Sequence, residues 1–368
     1  MPVDRRTFLA STAAGAFVAA LPGGALALYA PRPQDWRQFE LTTRVEITRE
    51  DAPVRVWVPV PALAAEAWMR PGPARYEILA GDGGEARLVE DAEAGIAFVE
   101  ATWPSGNGPV ALEVVARAET RSRHVDLARP GNGGVIGDTE RALNTAPTRL
   151  IPTDGIVKTT ADTIVSGATT DLEKARAIYD WVVESTERDP ETRGCGLGDV
   201  ASMLQTGDLT GKCADLNALY VGLARAAGLP ARDLYGLRVA PSEFGYRSLG
   251  AKSATVTGAQ HCRAEVFVED HGWIAVDPAD VRKVALEEGD APMPLSDPKV
   301  QAVREALFGA AEGNWVALNA AHDVALPGAE GGELPFLMYP QAEVDGQRLD
   351  ELDPASFVYT ITATEIGA

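Results

Sequence analysis

Three residues in the second half of the chain have side chains that together can carry out nucleophilic acyl transfer. Cys213 starts an apolar-periodic segment, His261 opens a strand-like run, and Asp277 closes the next such run. A thiolate attacks an acyl carbon, an imidazole exchanges protons, and a carboxylate holds the imidazole in one tautomer. The sequence therefore predicts a Cys–His–Asp triad whose members lie on separate elements.

The elements around these residues favour that chemistry. Apolar residues recur at helical spacing from Leu216 to Ala227, so Cys213 is expected in the first turn of a helix. Free N–H groups and the helix dipole lower a thiol pKa there, and they can also donate to an oxyanion. Residues 264–268 and 272–277 predict two antiparallel strands, whose cross-strand neighbours lie roughly 5 Å apart. We therefore expect His261 and Asp277 to be hydrogen-bonded.

The segment from about residue 170 to 285 resembles the transglutaminase-like superfamily of papain-type thiol enzymes. The matching blocks are G-K-C-A-D-L-N-A-L around Cys213, L-A-R-A-A-G-L-P-A-R at 223–232, H-C-R-A-E-V-F-V at 261–268 and G-W-I-A-V-D-P at 272–278. The resemblance implies Cys213 as nucleophile, His261 as general acid/base and Asp277 as orienting acid. Many relatives have an aromatic residue after the histidine, where this chain has Cys262 and Arg263. This difference from the family pattern affects the expected chemistry of the pocket more than the triad.

Five further residues are candidates for the pocket. Gln205, eight residues before Cys213, is a candidate oxyanion donor as in papain-like enzymes, or else simply a polar residue near a helix end. Candidate substrate contacts follow, with their alternatives: Asp215 as a first-turn residue favoured by the helix dipole, Arg263 and Glu265 as a solvated face, and Trp315 as a core residue.

The other cysteines leave several possibilities open. Cys195 and Cys262 could be buried thiols, a disulfide or pocket residues, and the count of three leaves at least one thiol free. His322 is a further candidate to approach a pocket. The chain has no zinc-spaced cluster, Walker loop or dinucleotide fingerprint, so we expect no metal and no nucleotide cofactor.

The composition of the chain limits the classes of partner that it is expected to bind. The chain has 368 residues, 46% of them hydrophobic, and a net charge of −20. An acidic surface argues against nucleic acid and anionic lipid as partners, which leaves a peptide or protein substrate as the expected partner. The sequence gives no indication of an oligomeric state.

The first 27 residues read as a targeting segment. Arg5 and Arg6 precede Thr-Phe-Leu, an apolar run and an Ala25-Leu26-Ala27 cleavage site, which resembles a twin-arginine export signal. The apolar run is shorter than the ~20 residues that a spanning helix needs. We therefore expect a periplasmic protein without stable membrane insertion after signal cleavage.

The pattern along the rest of the chain predicts an α+β protein. Short alternating runs (39–47, 54–60, 74–79, 95–100 and 110–115) indicate an antiparallel β-sandwich domain over residues 34–125. A Gly- and Pro-rich linker over residues 126–155 follows. The resemblance implies a papain-like catalytic domain over residues 156–290, with helices packed on an antiparallel sheet. Residues 291–368 are expected to be a C-terminal extension packed on it.

The triad by itself is compatible with two reactions. Water as acceptor gives hydrolysis of a peptide or amide bond, whereas a lysine amine gives protein cross-linking. Hydrolysis is the favoured expectation because water is abundant and nothing marks a dedicated amine site. A non-catalytic scaffold of the same fold is a third possibility, against which the intact triad argues.

Overall fold

The structure is a computed structural model that describes residues 29–131 and 133–367. The expected signal segment, residues 1–27, lies outside the described residues. Within the described ranges, no helix is long and apolar enough to cross a membrane. The helices there are α1 (Asp138–Thr145), α2 (Gly155–Ile164), α3 (Asp171–Ser185), α4 (Val200–Thr206), α5 (Cys213–Ala226), α6 (Pro278–Glu287) and α7 (Pro298–Ala306), with a short 3₁₀ turn at Arg247–Leu249.

The strands are arranged almost entirely in antiparallel pairs. They are β1 (Arg37–Val60), β2 (Met69–Ala80), β3 (Glu85–Asp91), β4 (Ile96–Thr120), β5 (Arg123–His124), β6 (Glu187–Arg188), β7 (Thr210–Gly211), β8 (Ala231–Arg238), β9 (Gln260–Val268), β10 (Gly272–Val276), β11 (Ala310–Ala311), β12 (Trp315–Asn319), β13 (His322–Val324), β14 (Leu334–Phe336), β15 (Gln341–Val344), β16 (Gln347–Arg348) and β17 (Val358–Glu365). The short pair β6–β7 is parallel.

The N-terminal sheet is built around two long strands, β1 and β4, which pair along almost their whole length. Strands β17 and β15 flank the two halves of β1, and β2 and β3 flank the two halves of β4. Side chains from both halves of β1, among them Val45 and Val58, belong to one buried cluster. The N-terminal unit is therefore one seven-stranded antiparallel sheet with a shared buried core.

The expected α+β class is confirmed, but the strands of the N-terminal unit are more continuous than expected. The runs at 39–47 and 54–60 both lie within β1, and those at 95–100 and 110–115 both lie within β4. The pairing shifts register between Arg49 and Val54. Such a bulge bends a strand without ending its ladder, which is why two alternating runs become one strand.

The C-terminal segment differs from the single extension expected for residues 291–368. Strand β12 pairs with β8, whereas β15 and β17 pair with β1 of the N-terminal sheet. Without the returning C-terminal strands, β1 would be a long edge strand with unpaired N–H and C=O groups, and these strands satisfy them. The C-terminal segment thereby joins both sheets.

The second sheet carries the candidate catalytic elements in the order β10-β9-β8-β12. Helix α5 packs against β8 and β9, and all of its residues are buried. A helix that is covered on every side is held firmly by its surroundings. On the side of the N-terminal sheet, Trp68 stacks on Trp315 with ring centroids 6.2 Å apart, so the two sheets share a core.

Candidate active site

Cys213 is the first residue of α5, and its side chain lies in a buried position. The first turn is fixed by Asp215, whose carboxylate accepts hydrogen bonds from three backbone N–H groups. These belong to Leu197 and Gly198, both at 2.9 Å, and to Lys212 at 3.0 Å. Asp215 therefore ties the helix start to the preceding loop, and it has no carboxylate oxygen left without a backbone donor.

His261 and Asp277 lie at the neighbouring ends of β9 and β10. Val276 pairs with Ala264, so Asp277 follows β10 at the end of the ladder where His261 lies. His261 Nε2 is 2.8 Å from Asp277 Oδ2, and both side chains are buried. Asp277 is also the N-cap of α6, because its other carboxylate oxygen accepts from the Asp280 N–H at 3.0 Å.

A second carboxylate faces the same histidine. Asp280 Oδ2 is 3.3 Å from His261 Nε2, and Asp280 Oδ1 accepts a hydrogen bond of 2.6 Å from Arg238 Nη2. Burial and the charge of Arg238 disfavour the protonated imidazole, but Asp280 and Asp277 outweigh them and raise the pKa of His261 to about 9. His261 is therefore protonated at neutral pH.

The thiol of Cys213 has a pKa well below its usual value. Hydrogen bonds from Cys195 and Cys262 are the largest causes, burial opposes them, and His261 contributes a hydrogen bond and its charge. With a protonated His261 beside it, Cys213 has the character of a thiolate paired with an imidazolium.

The three cysteines of the chain converge at this point. Cys195 comes from the loop between β6 and α4, Cys213 from α5 and Cys262 from β9. Their sulfur atoms all lie within 4.8 Å of one another, and all three are buried free thiols. Cys195 Sγ is also 3.5 Å from the carbonyl oxygen of Gln260, a second acceptor within reach of its thiol hydrogen. The structure thus contains free thiols rather than the disulfide that the sequence left open.

A cavity of about 360 Å³ opens at Cys213 and His261. Its lining has one acidic side chain among the described residues, Glu351, and four cationic ones: Arg188, Lys212, Arg238 and Lys283. Arg188 and Lys283 are both paired with Glu287, and Arg238 is paired with Asp280, whereas Lys212 forms no salt bridge within residues 29–131 and 133–367. Cationic side chains therefore outnumber acidic ones in the cavity lining, although the chain as a whole is acidic.

Gln205, the expected oxyanion donor, is placed away from this cavity. It is exposed on α4 and does not belong to the cavity lining. Helix α4 turns that side chain to solvent, while its buried side chains are Val200 and Met203. A different amide, that of Gln260, lines the cavity, and its Nε2 is buried without a hydrogen-bond partner in the described structure.

The expected substrate contacts are also absent from the cavity lining. Glu265 is fully buried and forms ion pairs with Arg123 and Arg232. The Arg263 guanidinium lies over the Trp315 ring, 4.8 Å from its centroid, and Trp315 Nε1 donates to the His261 carbonyl at 3.0 Å. Of the expected substrate contacts, Trp315 therefore holds the backbone of His261, Arg263 packs on Trp315, and Glu265 is part of a buried ion-pair network.

Sequence reasoning missed Asp280 and Arg238 as primary site residues. Asp280 follows Asp277 by three residues, so the start of α6 could have indicated that both carboxylates lie on one turn. Arg238 lies at the end of β8 with no local pattern that marks it. His322 lies 3.4 Å from Asp233, and it does not line the cavity of Cys213.

Comparisons with known proteins agree with this architecture. The family model described as Transglutaminase-like superfamily matches residues 158–278. An uncharacterized protein of Haemophilus influenzae is 38% identical over 297 residues, which cover 76% of this chain and 79% of that protein.

Two solved structures are also similar. A candidate cysteine protease from Cytophaga hutchinsonii is 17% identical with a TM-score of 0.50, covering 91% of this chain and 100% of that chain, and it supports the fold. The periplasmic domain of TgpA from Pseudomonas aeruginosa is 18% identical with a TM-score of 0.34, covering 69% and 94%. From the family model, the chain contains a domain of the transglutaminase-like superfamily over residues 158–278.

Proposed function

We propose that the protein is a thiol acyl-transfer enzyme that hydrolyses peptide or amide bonds through Cys213, His261 and Asp277. The observation that carries this proposal is the 2.8 Å contact of His261 with Asp277, together with the cavity that His261 and Cys213 both line. A nucleophile, a base and an orienting acid with access to one cavity are what an acyl-enzyme mechanism requires.

Every proton and bond of the proposed reaction is accounted for by these residues, the substrate and water. The Cys213 thiolate attacks the acyl carbon, and the tetrahedral intermediate then breaks its C–N bond while the His261 imidazolium gives its proton to the leaving amine. Neutral His261 next takes a proton from water, whose oxygen attacks the thioester. The C–S bond breaks, which returns the thiolate and the imidazolium and releases the carboxylic acid. Asp277 stabilises the imidazolium in both stages.

The oxyanion would be held at the start of α5. The Ala214 N–H already donates to the Cys195 carbonyl at 2.8 Å, so the backbone donor would be the N–H of Cys213, the first residue of the helix. The amide of Gln260 supports this role, since it lines the cavity and its Nε2 has no partner within the described structure. Gln260 thus takes the place that the sequence suggested for Gln205.

The charge of the cavity favours water over a lysine amine as acceptor. Lys212 lines it without a salt-bridge partner in the described structure, and a lysine ammonium would approach against its charge. Water is not affected in this way. Protein cross-linking is therefore the alternative reaction, and its acceptor would have to enter the same cavity.

The proposed setting is the bacterial periplasm, with a peptide or protein as substrate. The twin-arginine-like segment around Arg5 and Arg6 supports export. The net charge of −20 disfavours nucleic acid as a partner.

The proposal is tested with a peptide library and a fluorescent primary amine offered in the same assay. We expect peptide cleavage without amine incorporation, and loss of cleavage in Cys213→Ala with an unchanged circular dichroism spectrum. Amine incorporation as the main product would favour cross-linking. If Cys213 of the wild-type protein does not react with iodoacetamide and no peptide is cleaved, the result would indicate a non-catalytic scaffold of the same fold.

A further inference from the structure

We propose that Cys195, Cys213 and Cys262 form a binding site for a thiophilic metal ion of the Zn²⁺ or Cu⁺ class, and that a bound ion switches acyl transfer off. The three sulfurs come from a loop, a helix start and a strand, yet all lie within 4.8 Å of one another. The effect on acyl transfer rests on the proposed function, whereas binding of the ion does not.

The spacing of the sulfurs suits such an ion. Zinc binds thiolates at about 2.3 Å in tetrahedral geometry, which places two sulfurs about 3.8 Å apart. The longest sulfur–sulfur distance here is within 4.8 Å, so side-chain movements of less than about 1 Å suffice. Thiolate ligands select Zn²⁺ and Cu⁺ over Mg²⁺ and Ca²⁺, which prefer oxygen.

The surroundings provide both an entry route and charge compensation. Cys195 and Cys213 line the cavity, while Cys262 lies fully buried behind them. An ion can therefore enter from the cavity and find its third ligand at the inner wall. Three thiolates around a divalent ion leave one negative charge, and the cationic side chains of Lys212 and Arg238 line the same cavity.

Metal binding also uses the cluster more completely than a disulfide does. A disulfide joins two sulfurs, needs an oxidant and leaves the third thiol unused. Metal binding involves no oxidation: each thiol that is still protonated releases its proton to solvent as its sulfur–metal bond forms. The lone pair of Cys213 is then held by the ion, so the sulfur cannot attack an acyl carbon.

The test uses the full chain, reduced and freed of metal with a chelator, and titrates it with Co²⁺ as a spectroscopic probe and then with Zn²⁺. We expect thiolate-to-cobalt charge-transfer absorption and tetrahedral d–d bands that saturate at a single equivalent and disappear when Zn²⁺ is added. Cys195→Ser and Cys262→Ser should each weaken Zn²⁺ binding by more than the roughly 10–100-fold that loss of an outer-shell partner costs.

His261→Ala is the matched control, because it removes the proposed base but none of the sulfurs. Its charge-transfer band should remain. Circular dichroism and thermal unfolding establish that each serine variant is folded, and a further titration of the corresponding alanine variant repeats the measurement where serine fails to fold. Absence of the band in wild type, or a band that survives loss of Cys195 and Cys262, would overturn the proposal.

The two proposals fail in distinguishable ways. A cobalt band without any peptide cleavage would leave the metal site standing and remove the proposed function. Peptide cleavage that Zn²⁺ does not inhibit, with no cobalt band, would remove the metal site alone.

Discussion

Asp280 shares His261 with Asp277. Its Oδ2 lies 3.3 Å from His261 Nε2, which is 2.8 Å from Asp277 Oδ2. Arg238 forms a buried ion pair with Asp280 at 2.6 Å and so compensates one of the two negative charges. The protonated histidine is therefore stabilised by Asp277, which orients it, and by Asp280, whose charge is partly offset by Arg238.

This arrangement predicts that variants of His261 and its two carboxylate partners lose the single-turnover acylation rate to different extents. His261→Ala should lower the single-turnover acylation rate by at least the roughly 10²–10⁴-fold that general acid–base assistance supplies. Asp277→Asn should lose less, because Asp280 still faces Nε2. Asp280→Asn serves as the comparison. An Asp277→Asn rate equal to that of wild type would show that Asp277 is not the orienting residue.

Cys213 should be the most reactive of the three thiols. It combines a helix start with hydrogen bonds from two thiols and an imidazolium, whereas burial and its thiol neighbours raise the pKa of Cys262. Brief iodoacetamide labelling of the reduced protein at neutral pH, followed by peptide mass mapping, should find the label on Cys213 first. Equal labelling rates at all three positions would contradict the nucleophile assignment.

The two glutamines give a matched test of the oxyanion donor. Gln260→Ala should lower kcat by roughly 10²–10³-fold, the usual cost of one oxyanion donor. Gln205→Ala removes the same side chain from an exposed position on α4 and should leave kcat unchanged. Steady-state kinetics on one peptide substrate decides between them, and a reversed order would restore Gln205 as the donor.

Glu265 should matter for stability and not for substrate binding. It is fully buried between Arg123 and Arg232, and loss of one partner from a buried ion pair costs about 3–5 kcal/mol. Glu265→Gln should therefore lower the free energy of unfolding in urea by that order while KM stays near the wild-type value. Glu365→Gln, which breaks the more exposed pair with Arg37, should cost less than about 1 kcal/mol.

Asp233 should make stability depend on pH in the direction opposite to a salt-bridged carboxylate. Burial raises its pKa from 3.8 to about 7, with Arg225 opposing, and its oxygens have no hydrogen-bond partner in the described structure. Burial also lowers the pKa of the neighbouring His322 to about 3, so that imidazole is neutral in the same range. The unfolded chain therefore releases the Asp233 proton at lower pH than the folded protein does.

As pH rises through the interval between those two pKa values of Asp233, its contribution to the free energy of unfolding should fall by about 1.4 kcal/mol per pH unit. Asp233→Asn removes the titration, so the stability of the variant relative to wild type should increase with pH until about pH 7 and then level off. Urea unfolding at several pH values measures this difference. A difference that does not change with pH would mean that Asp233 keeps an ordinary pKa.

The sequence alone was sufficient for the family, the α+β class and the local setting of the candidate triad. Those features depend on short-range patterns: helical periodicity after Cys213, and two strand-like runs that place His261 and Asp277 at adjacent ends. A helix start and a hairpin are decided largely by neighbouring residues, so their placement could be read along the chain.

Tertiary structure decided what lies around those residues. Cys195, Cys213 and Cys262 show no metal-ligand spacing in the sequence, and they meet because a loop, a helix and a strand pack together. Glu265 is likewise buried in ion pairs with arginines of two distant segments, and the exposure of Gln205 follows from the packing of α4. Burial and partnership arise from contacts between distant segments, and local sequence patterns do not encode them.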